Sequence, residues 1–456
     1  MTRAGLGIAA LCTGLLACGS CRRGDAGDAS PSSSASASPS SPGVVAESLP
    51  RCRPEAQRLA IPGEDVTVGD VAIGTGGLLA GVIRVDGERR VASVMRASLD
   101  LTTSSIVDVG PPLGDDPPPS PRWNGTTAYV AYFARQASDA GAKLRELRIA
   151  RLEASAIGKV EATVLQQADE SLAFDIAWND AGVGLAAWDE DAPMKVGDAG
   201  SGPPFEGRGF VKVQVLGSET RRVASPESSD AESPRLVPRP GGGFWLGWLA
   251  RRAEEETYAV EGPGEKRAFR WVEIVPLTAT GEAAGPVRRI TSEKGRVAAF
   301  ELARNGADLA VMVQDELASA EGAGARIVRY LVAGEKGESI QSSDVVDGGV
   351  GTTLAELVPS TSPAEGARWL AWTDTAERTH MTPLLAAGLV AAAPPTTEPS
   401  LDGARVLAAA PPDILYALVG ASGASVESEG TAVQRVRPEL RRFACPTETA
   451  RPGPGK

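Results

Sequence analysis

The sequence predicts an all-β protein: a single closed ring of about seven four-stranded antiparallel units, preceded by a processed leader and a disordered tether. Three observations carry that expectation. A short pattern, an apolar or aromatic residue, then Ala or Gly, then another apolar or aromatic residue, returns seven times between Leu79 and Leu418. Long amphipathic helical periods are nearly absent, while 52 Gly and 34 Pro supply a chain of many turns. Two cysteines, Cys52 and Cys445, flank the repeating region.

In chain order, the leader comes first. Arg3 supplies a positive end, Ala4 to Ala17 is apolar and small, and Leu15-Leu16-Ala17-Cys18 closes the stretch. That closing tetrapeptide resembles the lipobox of bacterial lipoproteins, in which the leader is cut before the cysteine and the thiol carries a diacylglyceryl group. The resemblance implies a signal peptide over residues 1–17, lipidation at Cys18 and a lipid anchor in the membrane. Gly19, where an inner-membrane retention signal has aspartate, implies the outer membrane, with the periplasmic and surface-facing sides both open. Read from the residues alone, an ordinary secretory signal with a chance cysteine remains the alternative.

Residues 18–50 form the expected tether. The stretch GDAGDASPSSSASASPSSPG, residues 24–43, has too few apolar side chains to offset the entropy of ordering. No later segment is long enough to span a bilayer as a helix; Leu384 to Ala393 is ten residues and is interrupted by Gly388. A leader implies an oxidising compartment, so Cys52 and Cys445 can pair, while Cys21 stays in the tether as a candidate free thiol.

The ring is expected over residues 51–447, with a disordered tail at 448–456. Its repeated pattern reads Leu79-Ala80-Gly81, Val130-Ala131-Tyr132, Ala186-Ala187-Trp188, Leu246-Gly247-Trp248, Leu309-Ala310-Val311, Leu370-Ala371-Trp372 and Tyr416-Ala417-Leu418. Successive small residues lie 46 to 63 apart. Before each comes a short strand, such as Phe174 to Trp178, Arg235 to Pro238 or Phe300 to Ala303. A tight turn separates the two, with Asn124-Gly125, Asp180-Ala181-Gly182, Gly241 to Gly243 or Asn305-Gly306 accepting positive φ. After the patterned strand come a variable charged loop, a third strand (Lys143 to Leu152, Phe210 to Leu216, Phe269 to Leu277, Ala325 to Ala333) and a polar fourth (Ala162 to Gln166, Thr220 to Ala224, Pro286 to Thr291). Four-stranded units at this spacing describe a β-propeller, whose first strands line the axis and whose fourth strands form the rim. A sandwich array would repeat at about 100 residues, and 5% aromatic residues are too few for the girdles of a membrane barrel.

Closure follows from the last unit. After Ala404 to Ala409, Ile414 to Val419 and Thr431 to Leu440, it lacks a fourth strand. Gln57-Arg58-Leu59-Ala60-Ile61-Pro62 reads like the fourth strand Arg221-Arg222-Val223-Ala224-Ser225-Pro226, so residues 56–62 are expected to complete it and bring Cys52 beside Cys445. The run GGGFWLGWLARR, residues 241–252, then becomes the turn and second strand of the fourth unit. Its two apolar faces suit blades packed on blades.

Chemistry is sparse. A net charge of −12 and a pI near 4.9 exclude nucleic acid as a partner, because neutralising phosphates needs a basic stripe. The single histidine, His380, leaves no His-cluster metal site, and no phosphate loop or calcium loop is present. No catalytic, metal or cofactor residues are therefore assigned. Carboxylates do cluster: Asp189-Glu190-Asp191, Glu254-Glu255-Glu256, Asp315-Glu316 and Asp374. Each group follows a second strand, so with Arg251 and Arg252 they mark one face of long, uneven loops, where binding residues gather. The resemblance to bacterial lipoproteins carrying β-propeller domains covers the lipobox and, by repeat grammar, residues 52–446; no recurring Gly-His and Trp-Asp pair marks the WD type. The expected function is a noncatalytic, envelope-anchored monomeric propeller that binds a protein or glycan through the loop face or the channel mouth. The alternative is an extracytoplasmic carboxylate-dependent enzyme acting on glycans.

Overall fold

The computed structural model describes residues 52–112, 116–135, 145–166, 173–191, 209–226, 230–251, 257–259, 266–305, 307–316, 323–331, 339–344, 352–359, 367–374, 378–385, 390–391, 396–397, 401, 404–410, 414–420 and 437–445. Cys18 and Cys21, Arg252, Glu254, Glu255 and Glu256 lie outside the described residues, as do the side chains of Asp191, Glu316 and Asp374.

The chain enters on β1 (Arg53–Ala60). It then builds a first sheet from β2 (Glu64–Gly74), β3 (Gly77–Asp86), β4 (Arg89–Ala97) and β5 (Ser104–Gly110), and a second from β6 (Ser120–Asn124), β7 (Thr127–Arg135), β8 (Arg145–Leu152) and β9 (Ile157–Gln166). The third is β10 (Phe174–Trp178), β11 (Gly184–Asp191), β12 (Gly209–Val215) and β13 (Arg221–Val223). The fourth uses β14 (Asp230–Arg239), β15 (Gly243–Arg251), β18 (Arg270–Leu277) and β19 (Arg288–Arg289). Between β15 and β18 stands a separate two-stranded hairpin, β16 (Thr257–Ala259) with β17 (Lys266–Ala268), where the sequence suggests only a charged loop.

Next come β20 (Val297–Asn305), β21 (Asp308–Glu316), β22 (Ala323–Leu331) and β23 (Ser339–Asp344), then β24 (Thr352–Pro359), β25 (Ala367–Asp374), β26 (Thr379–Leu385), β27 (Val390–Ala391) and β28 (Thr396–Thr397). A single residue pair, Ala323 with Thr352, joins these two runs into one nine-stranded sheet. The expectation of seven separate sheets is thereby corrected: the propeller has six, five of four strands and one of nine.

The last sheet is β29 (Ala404–Ala410), β30 (Ile414–Val419), β31 (Glu439–Ala444) and, at its rim, β1, so the two ends of the repeating region share one sheet. Its third strand is Glu439–Ala444 rather than Thr431 to Leu440, with Ile414 opposite Ala444 and Val419 opposite Glu439. Pro438 has no N–H to give a ladder and marks the entry to β31; its carbonyl accepts from Ile61 N at 3.0 Å. Cys52 and Cys445 form a disulfide across this closure, spanning 393 positions of sequence.

Packing between sheets explains the repeated small residue. A Cβ added to Gly247 in β15 would lie 3.1 Å from Phe300 Cε2 and 3.2 Å from Leu302 Cδ1, side chains of β20 in the following unit. In β3 the crowding falls one place after the repeated Ala80: a Cβ on Gly81 would strike the carbonyl of Pro119, the residue that leads into β6, at 1.6 Å. The small position is where the next first strand comes closest.

Around it, the apolar alternation of β15 divides between two cores. Phe244, Leu246 and Trp248 pack with Ala177, Leu185 and Val213 of the preceding unit, whereas Trp245 and Leu249 pack with Phe300, Leu309 and Val311 of the following one. Burying both faces of one strand is how stacked blades exclude water. The aromatic richness of GGGFWLGWLARR is therefore core. Gly125 and Gly182, at φ 57° and 76°, sit in the tight turns the sequence marks for them.

Candidate functional site

A propeller turns the first strand of every unit toward its axis as an unpaired edge, and an edge leaves N–H and C=O groups without ladder partners. The sequence meets this with one polar residue ahead of an apolar or proline residue in each first strand. The pairs are Asp70-Val71, Ser120-Pro121, Asp175-Ile176, Arg235-Leu236, Glu301-Leu302, Glu356-Leu357 and Arg405-Val406. Four of these polar residues sit at one ladder level, opposite the central small residue: Ser120 with Ala131, Asp175 with Ala187, Arg235 with Gly247 and Glu356 with Ala371. Glu301 faces Met312, so β21 carries that level two places beyond the expected Ala310.

Five of these side chains, those of Asp70, Ser120, Asp175, Glu301 and Arg405, stitch neighbouring edges together. Asp175 Oδ2 accepts from Leu236 N of β14 at 2.8 Å, and its Oδ1 accepts from Ile176 N at 2.8 Å and Arg122 Nη2 at 3.2 Å. Glu301 Oε2 accepts from Leu357 N of β24 at 2.6 Å. Arg405 Nη1 donates to the Gly69 carbonyl of β2 at 3.3 Å. Asp70 Oδ2 accepts from Ser120 Oγ at 2.5 Å and from Arg122 Nη1 at 3.1 Å. Arg122 thus bridges two carboxylates from the units on either side of its own.

Burial alone would push the Asp70 carboxyl up. The Arg122 charge, with hydrogen bonds from Ser120 and Arg122 and the charge of Arg405, more than offsets this and holds it below the usual 3.8. Desolvation pulls the Arg122 guanidinium down, but Asp70 and Asp175 outweigh it and hold it firmly charged.

The first strands enclose a cavity of about 1180 Å³ along the axis. Four carboxylates and four guanidiniums line it, so its formal charge balances among the described residues. At the tight-turn mouth, Arg304 Nη1 of β20 meets Asp180 Oδ1 of the β10–β11 turn at 2.7 Å. Asn179 Nδ2 in that same turn donates to the Gly242 carbonyl of the unit between. One guanidinium on the wall differs from the rest. Arg235 donates Nη1 to the Pro234 carbonyl at 3.0 Å and has no carboxylate partner among the described residues.

On the long-loop side, the described candidate residues are engaged internally. Asp189 Oδ1 accepts from Ala173 N at 2.8 Å and its Oδ2 from Ser233 N at 2.9 Å, clamping the third unit to the fourth. Glu190 accepts from Trp188 Nε1 at 2.7 Å and pairs with Lys212. Arg251 pairs with Asp230, which also accepts from Gly209 N at 2.7 Å. Asp315, half-buried in β21, lies across from Val297 and Gly324. His380 stacks on Trp372 with centroids 5.4 Å apart. Among the described residues no group of three or more His, Cys, Asp or Glu could hold a metal ion.

The row of first-strand polar residues is what the sequence reading missed. Its signal, one polar residue, charged in six of the seven strands, ahead of an apolar residue or proline at intervals of 49 to 66 positions, lies in the strand that precedes the repeated small residue.

The strand order and axial cavity define a β-propeller whose channel wall mixes apolar and charged side chains. No protein-family model matches the chain, and no curated protein matches it. Among solved structures it is similar to the polysaccharide lyase Uly1, at 9% identity and a TM-score of 0.47, over 85% of this chain and 90% of that one. It is also similar to the β-propeller domain of the Trilobed protease from Pyrococcus furiosus, described as having an open velcro topology, at 10% identity and a TM-score of 0.42, over 78% and 90%. A protein of unknown function from Dyadobacter fermentans is similar at 10% identity and a TM-score of 0.40, over 87% and 100%.

Proposed function

We propose that this protein is a noncatalytic, monomeric binding protein of the cell envelope, anchored by a lipid on Cys18, and that its ligand enters the axial channel rather than resting on the long-loop face. The observation that carries the reading is the axial cavity of about 1180 Å³, its largely apolar wall set with a few charged side chains, among them Arg235 without a carboxylate partner among the described residues. The engagement of Asp189, Glu190 and Arg251 in contacts within and between units supports the same choice. We also read the nine-stranded sheet as two blades, because one residue pair joins its halves, which makes the ring seven-fold.

A second reading, a carboxylate-dependent enzyme acting on glycans, draws on the convergence of Asp70 and Asp175 at Arg122. Glycoside hydrolysis needs one carboxyl group kept protonated near neutral pH, and Asp70 is displaced in the opposite direction. Asp70 is therefore not suited to be the acid of such a reaction.

The two candidate surfaces separate in one experiment. Immobilised protein is exposed to solubilised envelope material, and retained compounds are identified by mass spectrometry. Arg235→Gln is expected to lose the retained compound, while a Glu254→Gln, Glu255→Gln, Glu256→Gln triple variant keeps it. The reverse outcome would return the function to the loop face.

A further inference from the structure

The channel wall carries one cation without a carboxylate partner among the described residues, Arg235, and one ion-paired carboxylate, Asp70, with an oxygen to spare. Arg235, on β14, spends one N–H on the Pro234 carbonyl and leaves the rest of its fork without a carboxylate among the described residues. Asp70, on β2, takes both of its side-chain hydrogen bonds on Oδ2, so Oδ1 is an open acceptor on a carboxylate that is 48% exposed, and the exposure is to the cavity. Following the first strands around the ring, β2, β6, β10, β14, the two residues stand three units apart, which sets them across the axis from one another.

A ligand that satisfies both must carry an anion at one end and a cation at the other. The balanced charge of the lining gives no net field to draw in a polyanion, whereas separated poles of opposite sign suit a dipolar molecule. Each of the three wall aromatics already has a partner: Trp178 lies 4.5 Å from Tyr129 and Phe174 lies 5.9 Å from Phe133, centroid to centroid, and the Arg96 guanidinium stands 5.7 Å from the Trp123 ring. The fork geometry of a guanidinium matches a carboxylate bidentately. An extended tripeptide separates its two charged ends by about 10 Å.

We infer that the channel binds a short peptide with both termini free, its α-carboxylate on Arg235 and its α-ammonium on Asp70. This rests on the channel-binding reading above and names the ligand class for it.

Isothermal titration of the full chain with tri-alanine, N-acetyl-tri-alanine, tri-alanine amide and tri-galacturonate tests it. Tri-alanine is expected to bind, with either cap weakening it at least about tenfold, the scale of one charge-assisted contact. In Arg235→Gln the free acid and the amide become equal, and in Asp70→Asn the free amine and the acetylated peptide become equal. Melting curves establish that each variant is folded. Should Arg235→Gln fold poorly, Arg235→Lys keeps the charge, loses the fork and weakens the acid more than the amide. Capped peptides binding as well as tri-alanine would overturn the peptide assignment. So would tri-galacturonate binding that depends on Arg235 in the absence of peptide binding, and that result would leave the channel reading standing. Binding of none of the four probes would remove both.

Discussion

Asp175 and Asp189 belong to the same third unit, and both reach across to the main chain of β14, one at Leu236 N and the other at Ser233 N. Their settings differ. Asp189, on the long-loop side, accepts from two backbone N–H groups, Ala173 N with Oδ1 and Ser233 N with Oδ2. Asp175, on the channel side, also carries Arg122, and through it is joined to Asp70. A carboxylate at the loop face clamps one joint, whereas a carboxylate in the channel belongs to a charge network that runs between units and borders a cavity. Contiguous acids in the sequence are thus a weaker guide to function here than single charges repeated at one ladder level.

The largest expected effect lies in neither region and sets the scale for both. Removing the disulfide with Cys52→Ser and Cys445→Ser should leave a folded propeller of much lower stability, by about 6 kcal/mol at most on the chain-entropy model for so long a loop. Thermal unfolding with and without reductant measures it, and an unchanged melting temperature in the double variant would refute the closing role.

Next in size, Asp175→Asn should cost about 3 kcal/mol, because Arg122 keeps its charge in a partly buried place with one partner lost. Asp189→Asn should cost about 1–2 kcal/mol, the value of weakened hydrogen bonds to two N–H groups. The comparison sharpens if only the first variant also alters ligand binding. Equal costs with no binding difference would break it.

The smallest effect is a pH dependence. Asp70 has a folded pKa below its unfolded value of 3.8, so its contribution is fully present above that value and fades as pH falls through the lower, folded one. Denaturant midpoints measured from pH 5 downward should fall more steeply for the wild type than for Asp70→Asn. Parallel curves would deny the carboxylate its role in the network.

Much of this fold was legible in the sequence because propeller packing imposes strict local demands. Phe174 to Trp178 has the bounds of β10, and Gly182 supplies the positive φ its turn requires. At Gly247 the small residue of the second strand is forced by the approach of the next unit, and in the first unit the same demand falls on Gly81, one place after the repeated Ala80. A rim strand supplied by the leading end of the ring is legible for the same reason, since a last unit short of one strand must find it elsewhere; the sequence places it at 56–62 and the structure at Arg53–Ala60.

Less legible was the third strand of that unit. The alternation from Thr431 suits a strand, but the ladder starts only beyond Pro438. The union of two sheets through Ala323 and Thr352 has no sequence signal at all, being one bridge between strand ends. The channel network was hidden because its members are spread one to a unit, and only closure of the ring makes them neighbours.

The disulfide has a mechanical consequence as well. Everything before Cys52 connects to the propeller at the outermost strand of its closing sheet, where β1 is held to β31 by backbone pairing. A pull arriving from that side reaches Cys52 before it reaches any residue of β1, and crosses the covalent bond directly into Cys445. The load path therefore bypasses β1. The strand that closes the ring is spared from being peeled away one hydrogen bond at a time, and the chain can be tugged by its leading end without the ring coming open.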